Sequence, residues 1–312
     1  MATPHLVQYQ GSKRNIASQI IKYFPKKINR LIEPFCGTAA ISILAAEQNR
    51  TDRFILNDIN GAIVEMLRLC INEPNTLFMQ YDEIWRGQFK EGTNNIDYFY
   101  EMRDRFNRCS DPALTLFILA RVVKGAVRYN NNGQMNQSCD KRRNGTNPML
   151  IKANAEKISK LLKNKTEFFN YDYKEVFKLA MPGDLIYMDP PYQGTSNSRD
   201  DRYYQGVDYD DFVLALEALN KKNIDFIISY DGKTGEKKHG KDLPKKLELM
   251  QILLNGGKSS QATLLGKDEI TYESLYLSRN LSLAYENSIK FLTPSRKEYI
   301  NGKDTSRLQR EA

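Results

Sequence analysis

The sequence predicts a mainly parallel α/β fold that is interrupted by a mainly helical insert. In the first sixty residues, short apolar segments alternate with segments of helical spacing, which is typical of a βαβ unit. The middle of the chain has helical spacing without a clear parallel-strand signal, and the alternation resumes afterwards. We therefore expect one domain formed by residues 1–61 and 166–290, an inserted domain at 62–165, and a polar, basic tail at 291–312.

The individual elements follow from apolar spacing and from the residues that end each segment. Helices are expected over residues 16–24, 38–48, 113–123, 151–162 and 212–219. Strands are expected over residues 30–33, 53–56, 167–169, 185–188 and 226–229, with 247–254 and 274–277 finishing the sheet as an antiparallel edge. Asn132-Gly133 is a strong tight-turn pair and predicts a hairpin within residues 126–136.

The composition excludes several classes of protein. With 41% hydrophobic and 27% charged residues the chain is expected to be globular, and its formal charge of +8 favours a polyanionic partner. The four cysteines include no Cys-x-x-Cys pair and there are only two histidines, so neither a cysteine zinc site nor a histidine-based triad is expected. No apolar run approaches the roughly 20 residues of a membrane span, so we expect an intracellular, soluble protein.

The most informative feature is the tetrapeptide Asp189-Pro190-Pro191-Tyr192, which directly follows an apolar strand. Proline has no backbone N–H, so the carbonyls around it remain available to accept hydrogen bonds from a ligand. Asp189 adds a carboxylate acceptor, and Tyr192 adds the face of a ring. Together these groups suit a planar ligand with an exocyclic amine, such as a nucleobase. The alternative is a strand followed by an ordinary Pro-Pro turn.

Two further turns and one loop carry groups that suit a nucleoside ligand. Gly37 lies where a predicted strand passes into a helix, and a glycine there lets the backbone approach a ligand closely. Asp58 follows the next strand, where an acid is able to accept hydrogen bonds from ribose hydroxyls. The loop Tyr9–Lys13 combines an aromatic ring, a glycine and a lysine, which would suit a ligand with a carboxylate. The alternatives are a tightly packed turn, an Asx turn and a capped helix start.

The predicted hairpin and the residues after it are polar and basic. Arginine, asparagine and lysine contact base edges and phosphates in DNA complexes, although a solvated loop has a similar composition. The candidate nucleic-acid contacts are Lys124, Arg128, Asn130, Asn136, Lys141, Arg142 and Arg143.

Taken in order, these motifs resemble those of the Dam-like, alpha-group DNA adenine-N6 methyltransferases. Tyr9–Lys13 resembles the family's N-terminal cofactor motif, and Glu33–Gly37 resembles its glycine turn. Asn57–Asn60 resembles the segment that carries the ribose-binding acid, and Asp189–Tyr192 resembles the catalytic DPPY. The residues from Arg128 onward resemble the start of the family's target-recognition hairpin.

The resemblance covers most of the chain, from about residue 7 to residue 277. It implies a Rossmann-like S-adenosylmethionine-dependent methyltransferase sheet with an inserted, mainly helical target-recognition domain that carries a β-hairpin. It also implies S-adenosyl-L-methionine as methyl donor, S-adenosyl-L-homocysteine as product, and no metal. The implied cofactor-binding residues are Tyr9, Lys13, Phe35, Gly37, Asp58, Asp172 and Tyr173, and the implied catalytic residues are Asp189, Pro190 and Tyr192.

The reaction implied by the resemblance is methyl transfer to the N6 amine of an adenine flipped out of duplex DNA. Asp189 and the Pro190 carbonyl would accept the two N–H bonds of the amine, and Tyr192 would stack on the base. An N4-cytosine or RNA amine methyltransferase and a catalytically silent DNA-binding relative stay open as alternatives. A nicotinamide dehydrogenase is disfavoured because the glycine turn lacks Gly-x-Gly-x-x-Gly. The protein is expected in the cytoplasm of a bacterial or phage-type host, where it would act on DNA as a monomer. The resemblance is compatible with a companion restriction endonuclease.

Two differences from the family's usual motifs bear on these expectations. Ala39 stands where the family usually has the second glycine of Phe-x-Gly-x-Gly, a position that affects how closely the cofactor approaches. Val123-Lys124-Gly125 and Ser138 stand where the GATC methylases have Tyr-Asn-Gly and proline. These differences argue against a GATC target and leave the catalytic residues unchanged.

Overall fold

A computed structural model describes residues 3–125, 128–191, 207–234, 237–238, 242–258 and 270–292. Within these residues the centre of the fold is one mixed sheet, and its strands are β1 (Leu31–Glu33), β2 (Phe54–Asn57), β3 (Thr166–Phe169), β4 (Leu185–Met188), β5 (Asp225–Thr234), β6 (Lys237–Lys238), β7 (Met250–Lys258) and β8 (Ile270–Leu277). The strand order is β3-β2-β1-β4-β5-β8-β7, and β6 pairs with β5. The first five strands of this order are parallel, whereas β8 is antiparallel to both of its neighbours.

The helices of the described residues alternate with the strands at both ends of the chain and follow one another in the middle. They are α1 (Ala17–Ile20), α2 (Ala40–Glu47), α3 (Gly61–Asn72), α4 (Pro74–Gly87), α5 (Asn95–Cys109), α6 (Pro112–Arg121), α7 (Pro148–Leu162), α8 (Tyr173–Lys178), α9 (Tyr209–Lys221) and α10 (Arg279–Leu292). Side-chain oxygens cap the starts of five helices, at Asn94, Asp111, Asn147, Asp172 and Asp208. No helix in the described part of the chain is long and apolar enough to cross a membrane.

Helices cover both faces of the sheet, which explains why the central strands are continuous apolar runs. Every residue of β1, β2 and β4 is buried, as expected for parallel strands that are covered on both sides. Alternate strand residues enter two separate clusters: Leu185 and Tyr187 pack with α1 to α7, whereas Ile186 and Met188 pack with α8 and α9. The βαβ rhythm and the antiparallel edge predicted from the sequence are therefore confirmed.

The first predicted helix differs from the structure. Instead of one helix over residues 16–24, the chain forms the four-residue α1 followed by a 3₁₀ turn at Ile21–Tyr23. Pro25 disfavours the helical region for the residue before it, and Phe24 is accordingly extended with ψ of 144°. Strands β5 and β8 differ in the other direction, because both extend beyond their predicted apolar segments, and β7 is shifted towards the C-terminus relative to the predicted 247–254.

The inserted helices share a hydrophobic core with the sheet. Residues of α3 and α7, such as Met66 and Ile151, belong to the same cluster as Leu31 of β1 and Ile41 of α2. The helical segment thus covers one face of the sheet and also carries the polar hairpin. The domain boundaries at residues 62 and 165 stay a prediction.

Candidate active site

The candidate site lies where the carboxyl ends of three neighbouring parallel strands meet. The glycine turn at Gly37 follows β1, Asp58 follows β2, and Asp189 follows β4, with β1 pairing both of the others. In open parallel sheets, ligands bind in the crevice outside these strand ends. The loop Tyr9–Lys13 lies across this edge, and Tyr9, Lys13, Gly37 and Asp189 line one common cleft.

Gly37 and Asp58 contact each other directly. The backbone N–H of Gly37 donates to a carboxylate oxygen of Asp58 at 2.9 Å, and the other oxygen accepts from the N–H of Asn60, also at 2.9 Å. Burial raises the pKa of Asp58, while the two backbone hydrogen bonds act in the opposite direction. A carboxylate offers about four acceptor positions, so these two bonds leave capacity for further donors.

The glycine turn needs a left-handed backbone at two positions. Gly37 has φ of +47°, and a Cβ there would lie 3.3 Å from Cε1 of Tyr9, so glycine lets the Tyr9 ring approach the turn. Ala39, at the position of the family's second glycine, also has a positive φ, of 55°. The alanine therefore keeps the backbone conformation that a glycine would favour, and its methyl group is fully buried.

Glu33 supplies the cap that the next helix lacks. Residue Ala39 stands at the N-cap of α2 and has no side-chain acceptor. The Glu33 carboxyl, 2% exposed at the end of β1, accepts instead from the N–H of Ser42 at 2.8 Å. Burial raises the pKa of Glu33 to about 7, with the hydrogen bonds from Ser42 opposing the change and nearby Asp189 adding to it. Glu33 was predicted only as the first residue of the glycine-turn motif, without a role of its own.

Two asparagines hold the loop that carries Asp58, and the sequence analysis missed both roles. The side chain of Asn57 donates to the carbonyls of Pro34 and Tyr171 at 2.9 and 3.0 Å, and accepts from the N–H of Tyr171 at 2.8 Å. Asn170 donates to the carbonyls of Asp58 and Ile59 at 2.7 and 3.0 Å. The available signal was the buried polar residue Asn57 at the end of an otherwise apolar strand.

Lys13 lies on the predicted catalytic acid. Its side chain is 6% exposed, and its ammonium lies 3.0 Å from Oδ1 of Asp189 and 3.4 Å from Oε2 of Glu273 on β8. The two carboxylates outweigh the effect of burial and raise the pKa of Lys13. No role was predicted from the sequence for Glu273, which directly precedes the predicted strand 274–277.

Of the two other predicted catalytic residues, Pro190 belongs to the described part of the chain. Pro190 is buried directly after Asp189, while Tyr192 lies outside the described residues. The neighbouring strand residue Tyr187 is buried, and its hydroxyl and that of Ser229 are 2.7 Å apart. Burial raises the pKa of the Tyr187 phenol, so this group stays neutral beside Asp189.

Two of the predicted cofactor-binding residues, Phe35 and Tyr173, form an aromatic wall next to the glycine turn. The rings of Phe35 and Tyr173 are 5.4 Å apart, and Tyr173 is buried. Asp172 caps α8 by accepting from the N–H of Lys174 at 2.9 Å. The Asp172 carboxylate thus caps a helix, which is a role that was not predicted from the sequence.

The predicted hairpin is present as a tight turn rather than as two strands. Tyr129 and Met135 form an isolated antiparallel bridge, and the N–H of Asn136 donates to the carbonyl of Arg128 at 3.0 Å. The side-chain oxygen of Asn130 accepts from the N–H groups of residues 132 and 134, at 3.0 and 2.9 Å. The side-chain amide oxygen of Asn130 is therefore used inside the turn. The side chains of Arg128 and Asn136, in contrast, are exposed.

The basic residues after the hairpin are partly neutralised. Arg142 and Arg143 lie 3.2 and 3.3 Å from the carboxylate of Asp140, which is 5% exposed and fixes the base of this loop. Lys141 is exposed. The side chain of Lys124 lies outside the described residues.

Three contacts connect the hairpin region to the loops of the cleft. The N–H of Gln10 donates to the carbonyl of Gly125 at 3.2 Å, just before the hairpin. Asn60 donates to the hydroxyl of Tyr129 at 3.0 Å, and Arg143 donates to the side chain of Gln8 at 3.2 Å. The predicted DNA-binding region and the predicted cofactor loops are therefore neighbours.

Comparison with known protein families decides the classification. Residues 9–257 match the model of the family described as D12 class N6 adenine-specific DNA methyltransferase. The chain belongs to this family. The matched range includes the loop at Tyr9, the glycine turn and Asp189, which is the set of motifs on which the resemblance was based.

Named relatives of this D12-class chain include proteins of bacteria and of a phage. Modification methylase StsI of Streptococcus sanguinis is 26% identical over 74% of this chain and 36% of its own length. The type II methyltransferase M1.LlaDCHI of Lactococcus lactis subsp. cremoris is 26% identical over 81% of this chain and 89% of its own length. A DNA adenine methylase of Haemophilus influenzae is 25% identical over 65% and 68%, respectively. The chain thus spans about a third of the Streptococcus protein and most of the Lactococcus protein.

Proposed function

We propose that this protein transfers a methyl group from S-adenosyl-L-methionine to the N6 amine of adenine in duplex DNA. Membership of the D12 class gives the reaction type and the acceptor base. The observation that carries the proposal is the position of Asp189, which follows β4 and lines one cleft with Gly37 and Lys13. A carboxylate acceptor for an amine and a glycine turn suited to a nucleoside thus share one crevice.

The residues of the cleft fit this methyl donor. When bound, S-adenosyl-L-methionine supplies an electrophilic methyl carbon on a cationic sulfur. Asp58 would hold the ribose hydroxyls with its remaining acceptor capacity, Phe35 and Tyr173 would form a wall for the adenine, and the glycine turn would face the sugar. The carboxylate of Asp189 would provide a favourable environment for a cation.

The chain's own residues would activate the acceptor amine. The lone pair of an exocyclic amine is conjugated to the purine ring, which makes the nitrogen a poor nucleophile. Asp189 and the carbonyl of Pro190 would accept its two N–H bonds and favour a pyramidal nitrogen whose lone pair points into the cleft. Tyr192 would stack on the flipped base and offset part of the unstacking cost of a few kcal/mol.

The polar region around residues 128–143 would contact the DNA. Arg128 and Asn136 are exposed on the hairpin, and Lys141 is exposed in the loop that follows. We propose that Arg128 reads a base edge and that the basic residues meet phosphates, with the segment 62–165 acting as the target-recognition region. We further propose a monomer acting on DNA, with or without a companion restriction endonuclease.

The decisive experiment measures which nucleoside is methylated and whether Asp189 is needed. DNA is incubated with the protein and S-adenosyl-L-methionine, digested to nucleosides, and analysed for N6-methyladenine and N4-methylcytosine. We expect N6-methyladenine from the wild type and its loss in Asp189→Ala, while exposed Asp52→Ala serves as a control with unchanged activity. Base-resolution methylation sequencing of the same DNA reports the target site.

Each contrary result points to a specific alternative. N4-methylcytosine would indicate a cytosine amine as substrate, and methylation of RNA but not of DNA in a parallel reaction would indicate an RNA enzyme. Cofactor binding without any methylated product would indicate a silent DNA-binding relative. Retention of more than about a tenth of the activity in Asp189→Ala would remove Asp189 from its proposed role, because a lost acceptor of this kind typically costs 100-fold or more.

A further inference from the structure

Glu273 reaches Lys13 from an irregular position in the sheet. In the pairing of β5 with β8, Tyr230 lies opposite Ser274 and Lys233 opposite Tyr272, so two residues of β5 face the single position of Glu273. A second irregularity lies on the other neighbouring strand, at Gly256 of β7. Bulges of this kind re-aim side chains and are found next to active sites.

Gly256 contributes to this local geometry. A Cβ at Gly256 would lie 3.1 Å from the carbonyl oxygen of Thr271 and 3.7 Å from Cγ of Glu273. A Cβ at this position would therefore crowd the backbone of the strand that carries Glu273 and would touch the Glu273 side chain. The pairing of β8 is thus irregular with both neighbouring strands next to Glu273, and this irregularity allows the Glu273 side chain to point towards Lys13.

The target of Glu273 is the ammonium of Lys13. Lys13 lies on the loop before α1, whereas Asp189 follows β4, and Glu273 comes from β8 at the far side of β5. The ammonium lies between the two carboxylates, at 3.0 and 3.4 Å, and also donates to the carbonyl of Gly11 at 3.5 Å. The three contacts come from three separate parts of the fold, so they define the position of the charge.

We propose that Glu273 is a positioning residue for methyl transfer, which holds the Lys13 ammonium against Oδ1 of Asp189 and thereby fixes the orientation of that carboxylate in the cleft. This inference rests on the proposed role of Asp189 in binding the acceptor amine. Glu273 acts through Lys13 and does not contact the substrate. Without it, the long lysine side chain has fewer fixed partners, and the carboxylate of Asp189 loses part of its support.

The position of an acceptor matters because the reacting atoms must be aligned. Misplacement of a catalytic group by about 1 Å is able to cost up to roughly 100-fold in rate. Glu273→Gln keeps the shape of the side chain and removes its charge, so we expect a fall of roughly tenfold in the single-turnover rate at saturating cofactor and DNA. The dissociation constants for cofactor and DNA are expected to change by less than about threefold, since Glu273 touches neither.

A double-mutant cycle with Lys13→Met separates positioning from a general structural effect. If Glu273 acts through Lys13, Glu273→Gln causes no further rate loss in the Lys13→Met protein. Glu273→Asp keeps the charge with a shorter reach, and its rate is expected to lie between those of the wild type and Glu273→Gln. The control is Glu248→Gln, which removes an acid that pairs with Arg279 at 2.9 Å on the exposed surface and should leave the rate unchanged.

The outcomes distinguish this inference from the proposed function. A wild-type rate in Glu273→Gln, or an equal loss in the wild-type and Lys13→Met backgrounds, would overturn the positioning role while the methyltransferase function stands. A wild-type protein that yields no N6-methyladenine would overturn the proposed function and the inference with it. If the Gln variant does not fold, Glu273→Asp is used instead, because its shorter side chain weakens the contact between the carboxylate and Lys13. A wild-type methylation rate in this variant would also overturn the inference.

Discussion

Replacing Glu33 with glutamine should make the stability of the protein less sensitive to pH. Glu33 is 2% exposed at the end of β1 and accepts a hydrogen bond from the N–H of Ser42. Burial raises its pKa from an ordinary value of 4.5 to about 7. Glutamine has nearly the same shape, keeps an acceptor for Ser42 and carries no charge at any pH.

The direction and size of the effect follow from proton linkage. Between pH 4.5 and about 7 the folded protein holds the Glu33 proton while the unfolded chain releases it. The free energy of unfolding therefore falls as the pH rises through this interval, by about 3 kcal/mol in total. Near pH 4.5 the two proteins should be about equally stable, whereas above pH 7 the Glu33→Gln variant should be the more stable by up to about 3 kcal/mol.

The assay is urea unfolding at a series of pH values, followed by circular dichroism and by the fluorescence of Trp85, the single tryptophan of the chain. The quantity compared is the difference in unfolding free energy between the variant and the wild type at each pH. Glu47→Gln, which changes an exposed acid at the end of α2, is the matched control for replacing a glutamate by a glutamine. A pH-independent difference for Glu33→Gln would refute the reasoning from burial.

Two further predictions test the hairpin region. Gly125→Ala should destabilise the protein by more than about 2 kcal/mol, because φ is +61° and a Cβ would overlap the carbonyl of Gln8. Gly92→Ala, with φ of +76° and no atom within 4 Å, is the matched control for backbone strain alone, and equal costs in urea unfolding would contradict the overlap. Arg128→Ala should lower the ratio of the methylation rates on target and non-target DNA. This ratio should fall by a larger factor than the affinity for the cofactor. An equal loss on every DNA sequence would make Arg128 a phosphate contact.

The parts of the fold that the sequence predicts well are those determined by neighbouring residues. The run Leu31–Glu33, the helix after Gly37 and the run Phe54–Asn57 form one βαβ unit, and its apolar spacing is sufficient to predict all three elements. Asp58 and Asp189 follow such strands directly. Because the carboxyl ends of parallel strands meet at one edge of the sheet, these two positions are sufficient to predict that the acids lie at the same edge.

The parts that the sequence did not predict depend on contacts between distant segments. Nothing local to β8 indicates that Glu273 would reach Lys13, because its direction depends on pairing irregularities in two other strands. Asn130 illustrates a second limit, since an asparagine that closes a turn and one that contacts a base have the same local sequence. Asn57 was missed because its partners, Pro34 and Tyr171, lie on two separate loops.

The shared core explains how the hairpin region remains close to the cleft. Because α3 and α7 pack in the same cluster as β1 and α2, the inserted helices cannot move as a separate unit without exposing apolar surface to water. The hydrogen bonds of Gln10 with Gly125 and of Asn60 with Tyr129 then join the hairpin region to the loops beside Gly37 and Asp58. This packed support beneath the exposed turn keeps the candidate DNA contacts at a defined distance from Asp189. A base-flipping enzyme needs such a fixed distance in order to extract one chosen nucleotide.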